Sequence, residues 1–145
     1  MLPEHRRLLR LQRLEKVRDL AKQAAAREAA EAESTLAQLS ALAARTGQLV
    51  ADYAARIDVR DGGQLRQLAA FRSGLTGVSQ ATTGDALRAR GLADAKLAEL
   101  AAAERRRQAA EDRAKVQADA IARAAIKPVL SARRASGTGL ERNPA

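Results

Sequence analysis

The chain has 145 residues, of which 46% are hydrophobic and only 1% aromatic, and it carries a formal net charge of +9. Alanine supplies 36 of the hydrophobic residues, and because alanine buries little area, this composition argues against a globular domain with a thick apolar core. The absence of cysteine excludes disulfides and thiolate metal sites. The abundance of Ala, Leu, Glu, Lys and Arg is instead typical of long helices and coiled coils.

The first predicted element is a long helix over residues 3–59. From Ala25 onward, apolar residues with one polar member recur at alternating spacings of four and three, as the seam of a two-helix coiled coil requires. The predicted seam positions are Ala25, Ala29, Ala32, Leu36, Leu39, Ala43, Thr46, Val50, Tyr53 and Ile57. Leu11, Leu14 and Ala21 continue this stripe upstream, but the two consecutive steps of four from Ala21 to Ala25 and Ala29 predict a local slip that unwinds the supercoil.

A turn is predicted at about residues 60–64, within and just after the segment "DVRDGG". Asp61 is followed by Gly62 and Gly63, which combines an aspartate side chain with two conformationally free residues. Two helices of similar length joined by a short turn favour an antiparallel arrangement. The predicted fold is therefore all-α, a long antiparallel two-helix coiled-coil hairpin.

The second predicted helix covers residues 65–128. Its apolar stripe is Leu65, Leu68, Phe71, Leu75, Val78, Thr82, Ala93, Leu97, Leu100, Ala103, Ala110, Ala114, Ile121 and Ala124. Gly74, Gly77 and Gly84 make the region 74–84 either an unwound loop or a weakened but continuous helix, and the unbroken helical period favours the helix. Residues 131–145 have no apolar period and are predicted to be a disordered tail.

The sequence lacks the residue patterns that catalysis requires. His5 is the only histidine, so with no cysteine it cannot form a structural zinc site. No serine or threonine has a candidate base nearby, no acid pair is isolated among apolar residues, and no phosphate-binding glycine loop is present. We therefore expect no enzymatic activity and no cofactor. Without a secretory signal or a long apolar run, the protein is expected to be soluble and cytoplasmic.

Positive charge is concentrated in two regions of the sequence. Residues 1–27 hold eight Lys/Arg and three acids, and residues 88–134 hold twelve Lys/Arg and six acids. An antiparallel hairpin would bring these regions together as one basic end. The run "ERRRQ", with Arg105, Arg106 and Arg107, fits either a solvated helix face or a phosphate-binding surface. Acid-first pairs such as Glu111 with Lys115 are expected on the exposed face.

Tyr53 and Phe71 flank the predicted turn and so fall near the same end of the hairpin. With Leu49, Ile57, Leu68, Leu75 and Val78 they form the densest set of large side chains outside the start of the first helix. These side chains either face the seam and close the turn or present an outward apolar patch to a partner.

The sequence resembles the FliJ family, the small coiled-coil proteins of the flagellar type III export apparatus. The resemblance covers most of residues 5–127 and lies in "HRRLLRLQRLEKVRDLAKQAAAREAAEAESTLAQL", "ADYAARI" and "LRQLAAFRSGLTGVSQA". The last segment is similar to the family's pattern of a Phe followed by apolar residues four and seven positions on, here Phe71, Leu75 and Val78. The glycines and threonines at 74–84 depart from the family, which usually continues there with stronger helix formers.

The resemblance implies a monomeric stalk that couples the hexameric flagellar export ATPase to the cytoplasmic domain of the export gate and escorts export chaperones. It implies a cytoplasmic location, peripheral to the inner-membrane export apparatus through these partners, and no nucleic acid ligand. The implied gate-binding residues are Tyr53, Phe71, Leu75 and Val78, with Thr82 as a further candidate. The implied ATPase-binding residues, by position and charge, are Arg6, Arg7, Arg10, Arg13 and Arg18.

Two other functions fit the same residues. A self-assembling structural coiled coil predicts a dimer or larger species in solution. A basic helical hairpin that binds nucleic acid predicts salt-dependent retention on DNA, although the scarcity of aromatic residues argues against single-strand recognition.

Overall fold

The computed structural model describes residues 2–56 and 61–137, and it contains two long α-helices. Helix α1 spans Pro3–Ala54 and helix α2 spans Gly62–Gly137. The two helices pack against each other, which confirms the predicted all-α helical hairpin. Across the described residues, neither helix has an apolar stretch long enough to cross a lipid bilayer.

Local backbone chemistry explains where α1 begins and ends. Pro3 occupies the first helical position, where its missing N–H has no intrahelical partner to lose. At the other end, the Arg56 N–H donates to the Tyr53 carbonyl at 3.3 Å, a three-residue step that tightens the last turn. Helix α1 ends at Ala54, before the predicted residue 59, and the predicted seam position Ile57 lies outside the described residues.

Helix α2 begins at Gly62, earlier than the predicted residue 65, because Asp61 caps it. The Gln64 N–H donates to Asp61 Oδ1 at 2.7 Å, and the Leu65 N–H donates to the Asp61 carbonyl at 3.1 Å. An aspartate at this position satisfies a free N–H and interacts favourably with the helix dipole. The side chain that the sequence assigned to the turn therefore serves to start the helix.

Helix α2 runs without interruption through the glycine-rich region 74–84, so the prediction of a continuous helix there is confirmed. It also continues past Pro128, close to its predicted end, and reaches Gly137, within the segment predicted to be a disordered tail. A proline removes one backbone donor from a helix, which weakens the helix at one point without fixing its end. Residues 138–145 of the predicted tail lie outside the described residues.

The chain divides into two compact units. Unit 1 comprises Met1–Gln23 and Ala102–Ala145, and unit 2 comprises Ala24–Ala101. Within each unit the segments of α1 and α2 run antiparallel. Residues later in α1 contact residues earlier in α2. The pairs that show this are Glu4 with Gln117 and Lys22 with Glu104 in unit 1, and Glu28 with Lys96, Thr46 with Thr82 and Tyr53 with Phe71 in unit 2.

The most buried positions of the seam between the helices are occupied by small side chains. The buried apolar residues of the described part are all alanines, namely Ala29, Ala32, Ala89, Ala93, Ala103, Ala110 and Ala114. On α1, each predicted seam position from Ala25 to Tyr53 is buried or half-buried, so this part of the pattern is confirmed. Small side chains at the most buried positions let the helices approach closely, and stability therefore depends on close packing there.

The predicted slip at Ala21 is wrong. Ala21 is exposed, whereas Arg18 and Lys22 are half-buried and keep the alternating spacing that leads to Ala25. The long aliphatic stems of arginine and lysine can cover a seam while their charged groups stay in water. An apolar stripe read from the sequence missed these two positions because it counted both residues as surface charges.

The α2 stripe is also partly different from its prediction. Leu68 and Leu75 are half-buried and Thr82 is buried, but Leu65, Phe71, Val78 and Leu97 are all exposed, as is Ala124. Half-buried Ser79 rather than Val78 occupies the seam beside Thr82. The helix thus turns several of its largest apolar side chains away from the seam.

A pair of buried threonines links the helices within unit 2. Thr46 and Thr82 are 7% and 8% exposed, and their Oγ1 atoms lie 3.0 Å apart. Each Oγ1 also lies 3.0 Å from a carbonyl oxygen of its own helix, that of Ala43 or Ser79. The two hydroxyl protons cannot make both carbonyl hydrogen bonds and the bond between the hydroxyls at once. When one hydroxyl donates across the seam, it therefore gives up the bond to its own carbonyl. A buried polar pair favours the alignment in which its members meet.

Two glycines of α2 are predicted to weaken the helix, although no close contact or backbone conformation requires glycine there. A Cβ added at Gly77 or Gly91 would meet nothing within 4 Å, and neither residue has a positive φ. We expect Gly77→Ala and Gly91→Ala each to raise the free energy of unfolding by about 0.5–1 kcal/mol. Chemical denaturation measures this change. Gly63→Ala is the control, since its Cβ would lie 3.3 Å from Asp61 Oδ1; an equal gain there, or none at the two test positions, would contradict the prediction.

Candidate interaction surfaces

Tyr53 and Phe71 form an aromatic pair in unit 2, one ring from each helix. Their centroids are 4.7 Å apart with the planes tilted by 58°, and the Arg56 guanidinium lies 4.4 Å from the Tyr53 centroid. Tilted rings and a cation over an aromatic face are both favourable arrangements. Tyr53 is half-buried, whereas Phe71 is 50% exposed. Phe71 therefore packs on Tyr53 while half of its surface stays in water.

The other predicted gate-binding residues divide between seam and surface. Leu75 is half-buried, and Val78 is 51% exposed. We call Phe71 and Val78, with Tyr53 and Leu75, the aromatic patch. Thr82, the further candidate, is buried and its hydroxyl faces Thr46, so it belongs to the seam. The sequence left open whether these side chains face the seam or form an outward apolar patch. Tyr53 and Leu75 face the seam, and Phe71 and Val78 face outward.

The five predicted ATPase-binding arginines do not share one surface, although all belong to unit 1. Arg6, Arg10 and Arg13 line one groove with Pro3 and Leu9. Arg7 lines a second groove together with Leu11, Asp112, Arg113, Val116 and Gln117. Arg18 lines a third cavity with residues of both helices. We call the groove of Arg6, Arg10 and Arg13 the arginine face.

The arginine run at 105–107 separates into different environments. Arg107, only 19% exposed, donates to both carboxylate oxygens of Glu104 at 2.8 and 2.9 Å and to Glu111 at 2.9 Å. Lys22 of α1 adds an ion pair to Glu104 at 2.9 Å. We call these four residues the Glu104 cluster. Glu111 thus pairs with Arg107, four positions before it, rather than with the expected Lys115.

The Glu104 cluster fixes the charge of its central residues. Hydrogen bonds from Arg107 and then from Lys22 lower the pKa of Glu104 to about 2. The same bonds to Glu104, followed by those to Glu111, raise the pKa of Arg107 above its already high ordinary value. In unit 2, Lys96 pairs with Glu28 of α1 at 3.1 Å and with Glu99 at 3.3 Å. The hydrogen bonds to Glu28 and Glu99 raise the pKa of Lys96.

The whole net charge of the chain belongs to one unit. By sequence, unit 1 contains seventeen Lys/Arg and eight Asp/Glu, whereas unit 2 contains nine of each. The aromatic patch therefore lies in a neutral unit and the arginine face in a strongly basic one. Negatively charged partners are expected to be attracted to unit 1 by long-range electrostatics that salt weakens.

Replacing Glu104 with glutamine is predicted to lower stability in a pH-dependent way. A carboxylate with a pKa of about 2 when folded and 4.5 when unfolded adds stability that is complete above the unfolded value. That stability is lost as the pH falls from 4.5 towards 2. We expect Glu104→Gln to melt a few degrees below the wild type at neutral pH, and the difference to vanish near pH 2, as measured by thermal melts.

Glu33→Gln is the matched control for this measurement. Glu33 is exposed on α1 and forms no ion pair among residues 2–56 and 61–137. Its replacement should change the melting temperature little at any pH. A difference between Glu104→Gln and the wild type that stays constant down to pH 2 would contradict the assigned role of the Glu104 cluster.

Arg113 is one residue of these surfaces that the sequence pattern did not single out. It lines the Arg18 cavity together with Arg106, seven positions before it on α2. A spacing of seven places two residues on the same side of a seam helix. The spacing of Arg106 and Arg113 was visible in the sequence. That Arg18 lies opposite them on α1 depends on the register of the two helices, which the sequence does not give.

Comparisons of the chain with protein-family models, with curated proteins and with solved structures find no match in any of the three.

Proposed function

We propose that the chain is a helical stalk of the flagellar type III protein export apparatus. In this role it couples the hexameric export ATPase to the cytoplasmic domain of the export gate and escorts export chaperones. The observation that carries the proposal is the presence of two chemically different surfaces on one helical pair. One is the arginine face in the basic unit 1, and the other is the half-exposed aromatic patch in the neutral unit 2.

The arginine face is proposed to bind the ATPase. Arg6, Arg10 and Arg13 are exposed along one side of α1, and none of them forms an ion pair within the described part of the chain. Such a row of free cations suits an acidic partner surface, where charge complementarity speeds association and sets orientation. Arg7 and Arg18 contribute less directly, since each lies in a groove shared with α2.

The aromatic patch is proposed to bind the export gate. An exposed phenylalanine supported by a second ring is a suitable anchor for an apolar pocket, because aromatic side chains bury a large area with little loss of conformational freedom. Tyr53 and Leu75 are the half-buried members of the patch, and Phe71 and Val78 are its exposed members. Gly74 and Gly77 weaken α2 beside Phe71 and let it adapt when the partner docks.

The proposal places the protein in the cytoplasm, held at the inner-membrane export apparatus by its partners. It is tested by co-elution of the purified chain with the export ATPase and, separately, with the cytoplasmic gate domain. The test variant replaces Arg6, Arg10 and Arg13 together with glutamate. We expect this variant to lose the ATPase and to retain the gate domain, since the aromatic patch is unchanged.

A control variant separates a local site from bulk charge. Arg45, Arg66 and Arg90 are exposed residues of unit 2 without an ion pair in the part of the chain that the structure describes. Replacing these three with glutamate changes the net charge by the same amount and should leave ATPase binding intact. Equal weakening by the two triple variants, or no weakening by either, would overturn the assignment of the arginine face.

A further inference from the structure

Three arginines surround a small cavity in unit 1. The cavity is lined by Leu14 and Arg18 of α1 and by Arg106, Ala109, Ala110 and Arg113 of α2. Its lining thus consists of three cations and three apolar residues, with no acid. Arg18 is half-buried, whereas Arg106 and Arg113 are exposed at the rim. We call this site the arginine pocket.

The acids nearest to the arginine pocket in sequence do not line it. Glu104 and Glu111 hold Arg107, and Asp112 accepts a hydrogen bond from Gln108 at 3.1 Å. Glu15 and Asp19 of α1 line a different groove, which they share with Arg107.

The three arginines of the pocket are therefore without counter-charges from the chain. None of them forms an ion pair with any residue in 2–56 or 61–137. Like charges at one site repel each other, and the chain keeps them together without an internal partner.

We propose that the arginine pocket binds a phosphate group. Three guanidinium groups present more positive charge than one carboxylate can balance, whereas a phosphate group carries up to two negative charges and several acceptor oxygens. Arginine forks match these oxygens with pairs of hydrogen bonds. Between Arg106 and Arg113, the exposed Ala109 adds only a methyl group to the lining. The site does not depend on the proposed stalk function.

Pyrophosphate is the probe for a free phosphate source, and a short DNA duplex is the probe for a nucleic acid backbone. Thermal melts and titration calorimetry of the full chain are run with each probe, against sodium chloride at matched ionic strength. The test variant is Arg106→Gln with Arg113→Gln. Its control is Arg105→Gln with Arg123→Gln, which removes the same charge from exposed positions of α2 outside the pocket.

We expect one probe to raise the wild-type melting temperature by about 4 °C at saturating concentration. The test variant should bind that probe about tenfold more weakly or worse, while the control keeps wild-type affinity. A response to pyrophosphate identifies a free phosphate ligand, and a response to DNA alone identifies a nucleic acid backbone. In chloride the test variant should melt no lower than the wild type, which separates loss of binding from loss of fold. No shift with either probe, or equal loss in both variants, overturns the proposal.

Discussion

Replacing Ala93 with leucine is expected to lower the free energy of unfolding by about 1–3 kcal/mol, because extra carbon atoms in a closely packed seam force the helices apart. Ala93 is the most buried alanine of the described residues, at 2% exposure. The ion pair between Glu28 and Lys96 shows that α1 lies beside this stretch of α2, and Ala29 and Ala32 are the buried residues of α1 in the same region. Denaturant unfolding followed by circular dichroism measures the change.

Ala95→Leu is the control for the seam. Ala95 lies two positions from Ala93 on the same helix and is exposed, so leucine there should leave stability within about 0.5 kcal/mol of the wild type. If Ala93→Leu were as stable as Ala95→Leu, alanine packing would not be what holds the helices together. The fold would then tolerate a leucine at this seam position without loss of stability.

Replacing Phe71 with alanine is expected to weaken binding of the gate domain by about 2 kcal/mol or more, which is roughly thirtyfold in affinity. The free chain should lose only about 1 kcal/mol or less of stability, since half of the ring is already exposed and its main support is the contact with Tyr53. Titration calorimetry with the gate domain gives the affinity, and a thermal melt gives the stability.

Leu87→Ala is the matched control for Phe71→Ala. Leu87 is 66% exposed on the same helix, outside the aromatic patch, and its truncation should leave both gate binding and stability unchanged. The opposite pattern for Phe71→Ala, a large loss of stability with gate affinity intact, would show that Phe71 is a packing residue. In that case the aromatic patch would not be a binding surface.

The seam of α1 could be predicted from the sequence because a two-helix seam has a strict period. Alternating steps of four and three from Ala25 to Tyr53 identify residues that are buried or half-buried in the structure. The prediction failed at Ala21, since it passed over charged residues, whereas Arg18 and Lys22 are the half-buried positions there. Periodicity therefore located the seam more reliably than hydrophobicity did.

The grouping of surface residues could not be predicted in the same way. Whether Glu111 pairs with a cation four positions before or after it depends on rotamers and neighbouring side chains. Glu111 pairs with Arg107 rather than Lys115, and Arg107 is also hydrogen-bonded to Glu104. The five amino-terminal arginines looked like one set by sequence. They separate into three grooves because the position of α2 decides which of them lie beside it.

Size-exclusion chromatography with light scattering, on the chain alone and mixed with the export ATPase or with the gate domain, tests the stalk proposal most directly. The proposal predicts a monomer of 15.4 kDa that co-elutes with each partner. A stable dimer that co-elutes with neither would contradict it and would make a self-assembling structural coiled coil the better description.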